Sequence, residues 1–141
     1  MLTGINPLLN GDLLRVLDHM GHNDVIMIAD GHYPSYGMGV PVLEAQATTP
    51  EVVAAVRTVF PIDYYASPSV TLMTPEPGLG EEVQTQLRDA VNTKVDERIE
   101  WIDRFDFYER GREVYAVIRT TETRKYGCIM LRKGVVGDPE E

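Results

Sequence analysis

The chain has 141 residues, 43% of them hydrophobic, and its formal net charge is −9. This length suits one domain, residues 1–141, with a core of its own, and the hydrophobic content excludes a disordered chain. The acidic balance argues against nucleic acid as a partner, because an acidic surface repels phosphates. It favours a neutral substrate over an anionic one.

Targeting and redox features point to one compartment. No apolar run reaches the roughly 18 residues of a transmembrane helix, so we expect no membrane association. The first residues lack the basic and apolar regions of a signal peptide. Cys128 is the only cysteine, which excludes a disulfide within the chain. These features together predict a cytoplasmic protein.

The first part of the chain alternates helix, strand and loop. Asn10 is a good N-cap for a helix predicted over residues 11–20, and Gly21 follows where helices commonly stop. The unbroken apolar run 25–29 predicts a strand buried on both faces. Residues 31–41 are rich in Gly, Pro, Ser and Tyr, and their length and aromatic content are typical of a binding loop.

The same alternation continues to the end of the chain. Thr49 is the expected cap of a second helix, with Pro50 at its first helical position. Two more helical segments are predicted over 81–91 and 105–111, and strands over 42–47, 69–73, 99–102, 114–119 and 126–131. The pattern predicts a single three-layer α/β domain, with a mixed sheet of about six strands flanked by helices.

His22 and Asp30 flank the predicted strand 25–29, and histidine with carboxylate is the usual pair for proton transfer near neutral pH. His22 is either a general acid or base, or a residue that caps loose carbonyls at a helix end. Asp30 either binds hydroxyls or orients a histidine, or it closes an Asx turn with Gly31.

The length of the strand decides whether these two residues share one substrate. A strand rises about 3.3 Å per residue, so His22 and Asp30 of one chain lie roughly 20 Å apart. One small substrate cannot contact both unless the chain folds back. We therefore expect a composite site between two subunits, which predicts an oligomer.

Other candidate residues lie in the second half of the chain. Arg104 is either a donor fork for substrate oxygens or one partner of a surface salt bridge. Tyr126 offers a hydroxyl and Gly127 permits close backbone approach, although both also suit an ordinary strand start. Cys128 lies in an apolar run, so we expect it to pack as a small hydrophobe rather than act as a nucleophile.

Three histidines and Asp30 raise the hypothesis of a metal site, as in a metal hydrolase. The spacing of His19, His22 and His32 matches no zinc motif. Gly21 also interrupts the continuous helix that would bring His19 and His22 to one face. The sequence therefore predicts no metal site.

Four segments carry a resemblance to a known family. They are residues 20–24 (MGHND), 29–34 (ADGHYP), 104–110 (RFDFYER) and 125–127 (KYG). Together they resemble the RbsD/FucU family of sugar mutarotases, and the resemblance extends over nearly the whole chain, from 7 to 134. The Phe-Tyr-Glu-Arg run at 107–110 is more similar to the L-fucose mutarotase branch than to the D-ribose pyranase branch.

This resemblance implies an RbsD-like fold, an isomerase that uses no cofactor, and a ring-shaped homo-oligomer, with a decamer as one candidate size and sites near subunit interfaces. By position, His22 resembles the family's proton donor. The positions that match its sugar-binding residues are Asp30, Arg104, Tyr126, Gly127 and Cys128. This chain departs from the family at Cys128, where asparagine is typical.

We therefore expect a mutarotase that exchanges the α and β anomers of a free monosaccharide, with L-fucose as the leading substrate. The alternatives are a D-ribose pyranase, a mutarotase for another sugar, and a non-catalytic sugar-binding protein. The sequence does not decide the sugar, its ring form, the effect of Cys128, or whether Tyr126 carries a proton.

Overall fold

The computed structural model describes residues 1–66, 68–93 and 98–138. None of the helices in the described part of the chain combines the length and the hydrophobicity that a membrane span requires. The elements in chain order are α1 (Gly11–His19), β1 (Val25–Ala29), a short 3₁₀ helix (Ser35–Gly37), β2 (Val42–Glu44), α2 (Thr49–Arg57), β3 (Val70–Met73), α3 (Glu81–Val91), β4 (Ile99–Ile102), α4 (Arg104–Gly111), β5 (Ala116–Arg119) and β6 (Ile129–Arg132).

The strands form one mixed sheet in the order β2-β5-β1-β6-β3-β4. Strand β6 runs antiparallel to both of its neighbours, β1 and β3, whereas the other pairs are parallel. The carboxyl ends of β1 to β5 and the amino end of β6 therefore lie at one edge of the sheet. We call this the Asp30 edge, since Asp30 follows β1, and we call the opposite edge the His22 edge.

Side chains alternate along the strands, so the sheet is buried on both faces. Ile26 and Ile28 of β1 pack into a core built with α1, α2 and α3. Met27 and Ala29 face the other side and pack with Phe107 of α4. The predicted three-layer α/β fold and the double burial of residues 25–29 are therefore confirmed.

Helix caps explain where the helices begin. The Asn10 side chain accepts a hydrogen bond from the Leu13 amide, as predicted, and α1 ends one residue early because Met20 has extended backbone. The prediction that Thr49 caps α2 is wrong. Thr48 forms a capping box with Glu51, and Thr49 is buried with its hydroxyl 3.3 Å from that of Thr120.

Several strand boundaries differ from those predicted. Strands β2, β3 and β5 are shorter than the segments 42–47, 69–73 and 114–119. Strand β6 begins at Ile129, not at Tyr126, because Tyr126 has φ 64°, in the left-handed region that a strand excludes. The predicted turn at 105–111 is an eight-residue helix whose cap is Asp103.

Gly111 at the end of α4 illustrates how closely the second face is packed. A Cβ added there would overlap the Tyr33 hydroxyl. That hydroxyl is buried and has no hydrogen-bond partner among the described residues. The close approach, rather than the helix, therefore requires glycine at this position.

We predict that Gly111→Ala lowers the free energy of unfolding by about 1–3 kcal/mol through overpacking, although alanine favours helices. Tyr33→Phe alone changes it by less than about 1 kcal/mol, because no protein partner is lost. The double variant recovers most of the loss, since the overlapping oxygen is absent. Denaturant unfolding measures all three; a double variant no more stable than Gly111→Ala would contradict this account.

Candidate functional site

Loops at the Asp30 edge enclose a cavity of about 380 Å³, which we call the Asp30 cavity. Its size suits a small molecule. Four of the predicted site residues line it, Asp30, Arg104, Tyr126 and Cys128. The remaining lining residues are His32, Tyr33, Met73, Glu76, Leu79, Tyr108 and Lys125.

The direction of the strands brings these residues together. Asp30 follows β1, Arg104 begins the helix after β4, and Tyr126 and Cys128 precede β6. All of these positions lie at one edge only because β6 runs opposite to the other strands. A wider cleft of about 730 Å³ lies beside the cavity and shares Leu79 and Lys125 with it, but contains none of the predicted site residues.

Asp30 closes the turn considered from the sequence, and it also lines the cavity. Its Oδ1 accepts hydrogen bonds from the backbone amides of His32 (3.0 Å) and Tyr33 (2.9 Å), which closes the turn after β1. These bonds offset the cost of burying a residue that is only 6% exposed. The carboxylate nevertheless lines the cavity, where it is available to hydroxyl groups of a ligand.

Tyr126 has an unfavourable backbone conformation that its surroundings maintain. Non-glycine residues rarely adopt φ near 64°, and such outliers cluster at functional sites. A Cβ added to Gly80 would lie 2.9 Å from the Tyr126 Cβ, so the tyrosine packs directly on glycine backbone. Gln84 Nε2 also donates to the Tyr126 carbonyl at 3.4 Å. Together these contacts aim Tyr126 at the cavity.

Gly127 and Cys128 contribute differently. Gly127 is buried and is not a lining residue; a Cβ there would crowd the Glu122 side chain at 3.0 Å. The Cys128 thiol accepts the Asp30 amide at 3.3 Å. Burial, together with the nearby Asp30 carboxylate, raises the pKa of this thiol well above its ordinary value. Cys128 is therefore a neutral wall residue and not an activated nucleophile.

Arg104 is the cationic group of the cavity that the sequence predicted. Its guanidinium lies 4.9 Å from the Phe105 ring centroid, and within the described ranges it forms no ion pair. Burial raises the pKa of both Tyr33 and Tyr108 above that of an ordinary phenol. The cavity thus combines two carboxylates (Asp30 and Glu76), two cations (Arg104 and Lys125) and the hydroxyls of Tyr108 and Tyr126, which are groups that can hydrogen-bond to a polyhydroxylated molecule.

His22 lies at the other edge of the sheet and does not line the Asp30 cavity. Its Nε2 is 2.9 Å from Oδ1 of Asp63, a fully buried carboxylate. It does not serve as the helix cap considered from the sequence: Lys133 Nζ instead donates to the carbonyls of Leu17 (2.6 Å) and Met20 (2.5 Å).

Asp63 remains charged despite its burial. Burial alone would raise its pKa, but the His22 hydrogen bond and the amides of Ala66 (2.7 Å) and Tyr65 (3.2 Å) outweigh it, so the net pKa is lower than usual. A buried carboxylate that orients a histidine is a common arrangement for acid–base chemistry. The His22 side chain is 39% exposed, so a ligand or another subunit can reach it.

Asp63 was not among the residues predicted from the sequence. Its only local signal is one carboxylate between apolar neighbours in the segment 61–65, and 41 positions separate it from His22. The residues that the structure describes contain no cluster of three or more His, Cys, Asp or Glu side chains that could bind a metal ion.

We predict that Asp63→Asn lowers the free energy of unfolding near pH 7 by about 1–3 kcal/mol, because a charged acceptor is lost. Because the pKa of Asp63 is lower in the folded than in the unfolded chain, its contribution is full above the unfolded pKa. It disappears as pH falls through the folded pKa. The difference between wild type and variant should therefore shrink in acid, as denaturant unfolding across pH measures.

Asp18→Asn is the matched control, because it removes the same charge from an exposed position on α1. Its free energy of unfolding should stay within about 0.5 kcal/mol of wild type. An Asp63→Asn deficit that persists unchanged at acid pH would contradict the charged state assigned to Asp63.

The model of the RbsD / FucU transport protein family matches residues 3–136. The fucose mutarotase of Streptococcus pneumoniae, solved in complex with L-fucose, is 32% identical, with 96% of this chain and 99% of that chain covered and a TM-score of 0.89.

Two further structures share the architecture. FucU from Bifidobacterium longum is 32% identical, with 94% of this chain and 99% of that chain covered and a TM-score of 0.82. RbsD of Bacillus subtilis, complexed with D-ribose, is 23% identical, with coverage of 96% and 99% and a TM-score of 0.79, a likeness that shows the fold alone. With a family match over nearly its whole length, the protein belongs to the RbsD/FucU family of sugar mutarotases.

Proposed function

We propose that the protein is a mutarotase that interconverts the α and β anomers of a free neutral monosaccharide, with L-fucose as its substrate. The observation that carries the proposal is the pair formed by half-exposed His22 and buried Asp63, 2.9 Å apart. A histidine with a carboxylate partner is a common general acid or base in enzymes, and hemiacetal opening requires such a group.

The reaction needs one acid and one base. The acid protonates the ring oxygen as the base removes the proton of the anomeric hydroxyl, so the bond between the anomeric carbon and the ring oxygen breaks and an aldehyde forms. The aldehyde rotates, and the reverse transfers close the ring on either face. Protons and electron pairs balance within the sugar and the two protein groups.

His22 is the proposed acid. Since a carboxylate only accepts hydrogen bonds, the Nε2 that faces Asp63 carries a hydrogen, and Nδ1 is the nitrogen left to exchange a proton with the sugar. Asp63 orients the ring through this hydrogen bond. For the opposite transfer, the Asp30 cavity offers the Asp30 carboxylate and the hydroxyl of Tyr126.

We propose further that two subunits complete each site. His22 and the Asp30 cavity belong to opposite edges of one sheet, so a small sugar held by Asp30 and Arg104 needs a histidine from a neighbouring copy. The exposed rings of Tyr64 and Tyr65, next to the His22–Asp63 pair, favour an interface there, because aromatic residues are enriched in protein contacts. A ring-shaped homo-oligomer is the proposed assembly.

The chemistry of the cavity supports a neutral sugar. It sets the carboxylates of Asp30 and Glu76 against the cations Arg104 and Lys125, so neither sign of charge dominates. The net charge of the chain, −9, disfavours anionic ligands. L-fucose is proposed because a relative of 32% identity was solved with it. A cytoplasmic location is proposed because the only cysteine, Cys128, is unpaired, as is usual in reducing compartments.

We predict that His22→Ala lowers the enzymatic rate of L-fucose anomer exchange by about 10²–10⁴-fold, because the proton donor is lost. The oligomeric state should not change, since the variant retains the exposed rings of Tyr64 and Tyr65 that favour the interface. Saturation-transfer NMR of the free sugar measures the rate, and analytical ultracentrifugation measures the assembly. His19→Ala, an exposed histidine on α1, is the matched control and should keep the wild-type rate.

An unchanged rate in His22→Ala would overturn the role of His22. The wild-type protein is tested on L-fucose, D-galactose and D-ribose. Faster exchange of ribose anomers or ring forms would replace L-fucose by ribose as the substrate. Sugar binding without acceleration of exchange would identify a non-catalytic sugar-binding protein.

Mixed oligomers test the composite site. His22→Ala and Asp30→Asn should each be inactive alone, because each removes one half of every site. Co-expressed in equal amounts, they should restore about one quarter of the wild-type activity, since each interface draws its two halves at random. An inactive mixture with confirmed mixed assembly would show that one chain supplies the whole site.

A further inference from the structure

We propose that Glu122 is a positioning residue for the Asp30 cavity: it joins the wall that carries Asp30 to the wall that carries Tyr126 and Cys128. The proposal extends the proposed function, on which only its sugar measurement rests. Glu122 itself is not a lining residue of the cavity. It acts through the residues that are.

The Glu122 side chain is a buried carboxylate whose hydrogen-bond donors are the two residues that follow it in the chain. The residue is only 3% exposed. Its Oε2 accepts the amides of Thr123 (3.0 Å) and Arg124 (3.1 Å), and Nε of Arg124 (3.0 Å), while Oε1 accepts Nη2 of Arg124 (2.9 Å). These bonds fold the segment after β5 onto the carboxylate, and charge-assisted bonds of this kind are the strong ones.

The Glu122 main chain holds the first wall. Its carbonyl accepts the Gly31 amide at 2.9 Å, directly after Asp30. On the other side of Asp30, the Ala29 carbonyl accepts the Thr120 amide (2.9 Å) and its hydroxyl (2.8 Å). Asp30 is therefore held between two hydrogen-bonded links to the 120–122 segment.

The same residue supports the second wall through packing. A Cβ added to Gly127 would lie 3.0 Å from Cγ of Glu122 and 3.1 Å from the Arg124 carbonyl. The backbone at Gly127 therefore packs against the aliphatic part of the Glu122 side chain. Gly127 lies between Tyr126, whose backbone is in the left-handed region, and Cys128, which lines the cavity. Since the Tyr126 conformation is unfavourable, it persists only while its neighbours hold it.

A second acidic residue offers a matched control. The Arg124 guanidinium also reaches Gln86 (2.9 Å) and Glu82 (3.8 Å) on α3, and the Glu82 side chain is 79% exposed. Glu82→Gln removes one negative charge beside the same guanidinium without altering either wall. Glu122→Gln removes the same charge at the junction and turns an amide NH₂ toward groups that are themselves donors.

The experiment compares these two variants by amide hydrogen exchange and by anomer-exchange kinetics with L-fucose. In Glu122→Gln, exchange at Gly31, Thr123 and Arg124 should rise at least about tenfold, because local opening becomes easier. The KM should rise about tenfold, because both walls bind the sugar, and kcat should fall with it, because the same walls carry the proposed base. Glu82→Gln should change neither measurement.

The outcomes separate this proposal from the proposed function. A wild-type KM in Glu122→Gln, despite faster amide hydrogen exchange, would overturn the positioning role. An equal increase of the KM in Glu82→Gln would overturn it as well. If the wild-type protein accelerates anomer exchange of no sugar, the proposed function fails. Amide hydrogen exchange at Gly31 in Glu122→Gln then tests the positioning role by itself. A raised rate supports this role of Glu122, and an unchanged rate overturns it. If Glu122→Gln does not fold, Arg124→Lys replaces it, because lysine keeps the charge but loses the donor fork.

Discussion

The reversed direction of β6 is the constraint on which both halves of the candidate site depend. Because β6 is inserted antiparallel between β1 and β3, its amino end meets the carboxyl ends of its neighbours. The pairing of Ile28 with Ile129 brings Cys128 to the Asp30 amide. At the opposite end of β6, Lys133 binds the last carbonyls of α1 and pairs with Ile62, the residue before Asp63. A parallel β6 would exchange these two ends.

Each edge of the sheet therefore carries one half of the proposed site. The His22 edge has an exposed histidine hydrogen-bonded to the buried carboxylate of Asp63, and the Asp30 edge has the cavity lined by Asp30 and Arg104. The sheet, buried on both faces, keeps the two apart within one chain. In the proposed oligomer, a subunit contact is therefore part of the active site, so assembly and activity depend on each other.

The buried carboxylates follow one rule, which is that each is satisfied by a different set of donors. Asp30 accepts two backbone amides, Asp63 accepts two amides and lies against His22, and Glu122 accepts an arginine fork. The partners set the role: amides leave Asp30 available to a ligand, whereas the histidine makes Asp63 an orienting group. The backbone conformation of Tyr126, with φ of 64°, is energetically unfavourable, and contacts with Gly80 and Gln84 maintain it.

The sequence by itself determined the layered α/β fold, and it placed β1, α3 and β4 at their observed bounds, because apolar periodicity and local breakers act over a few residues. It also selected four residues that line one cavity. Only the tertiary structure decided that Thr49 is buried against Thr120, that Tyr126 lies outside β6, and that Asp63 faces His22 across 41 positions. These features depend on contacts between distant segments, and on the direction of β6, which no local pattern of side chains encodes.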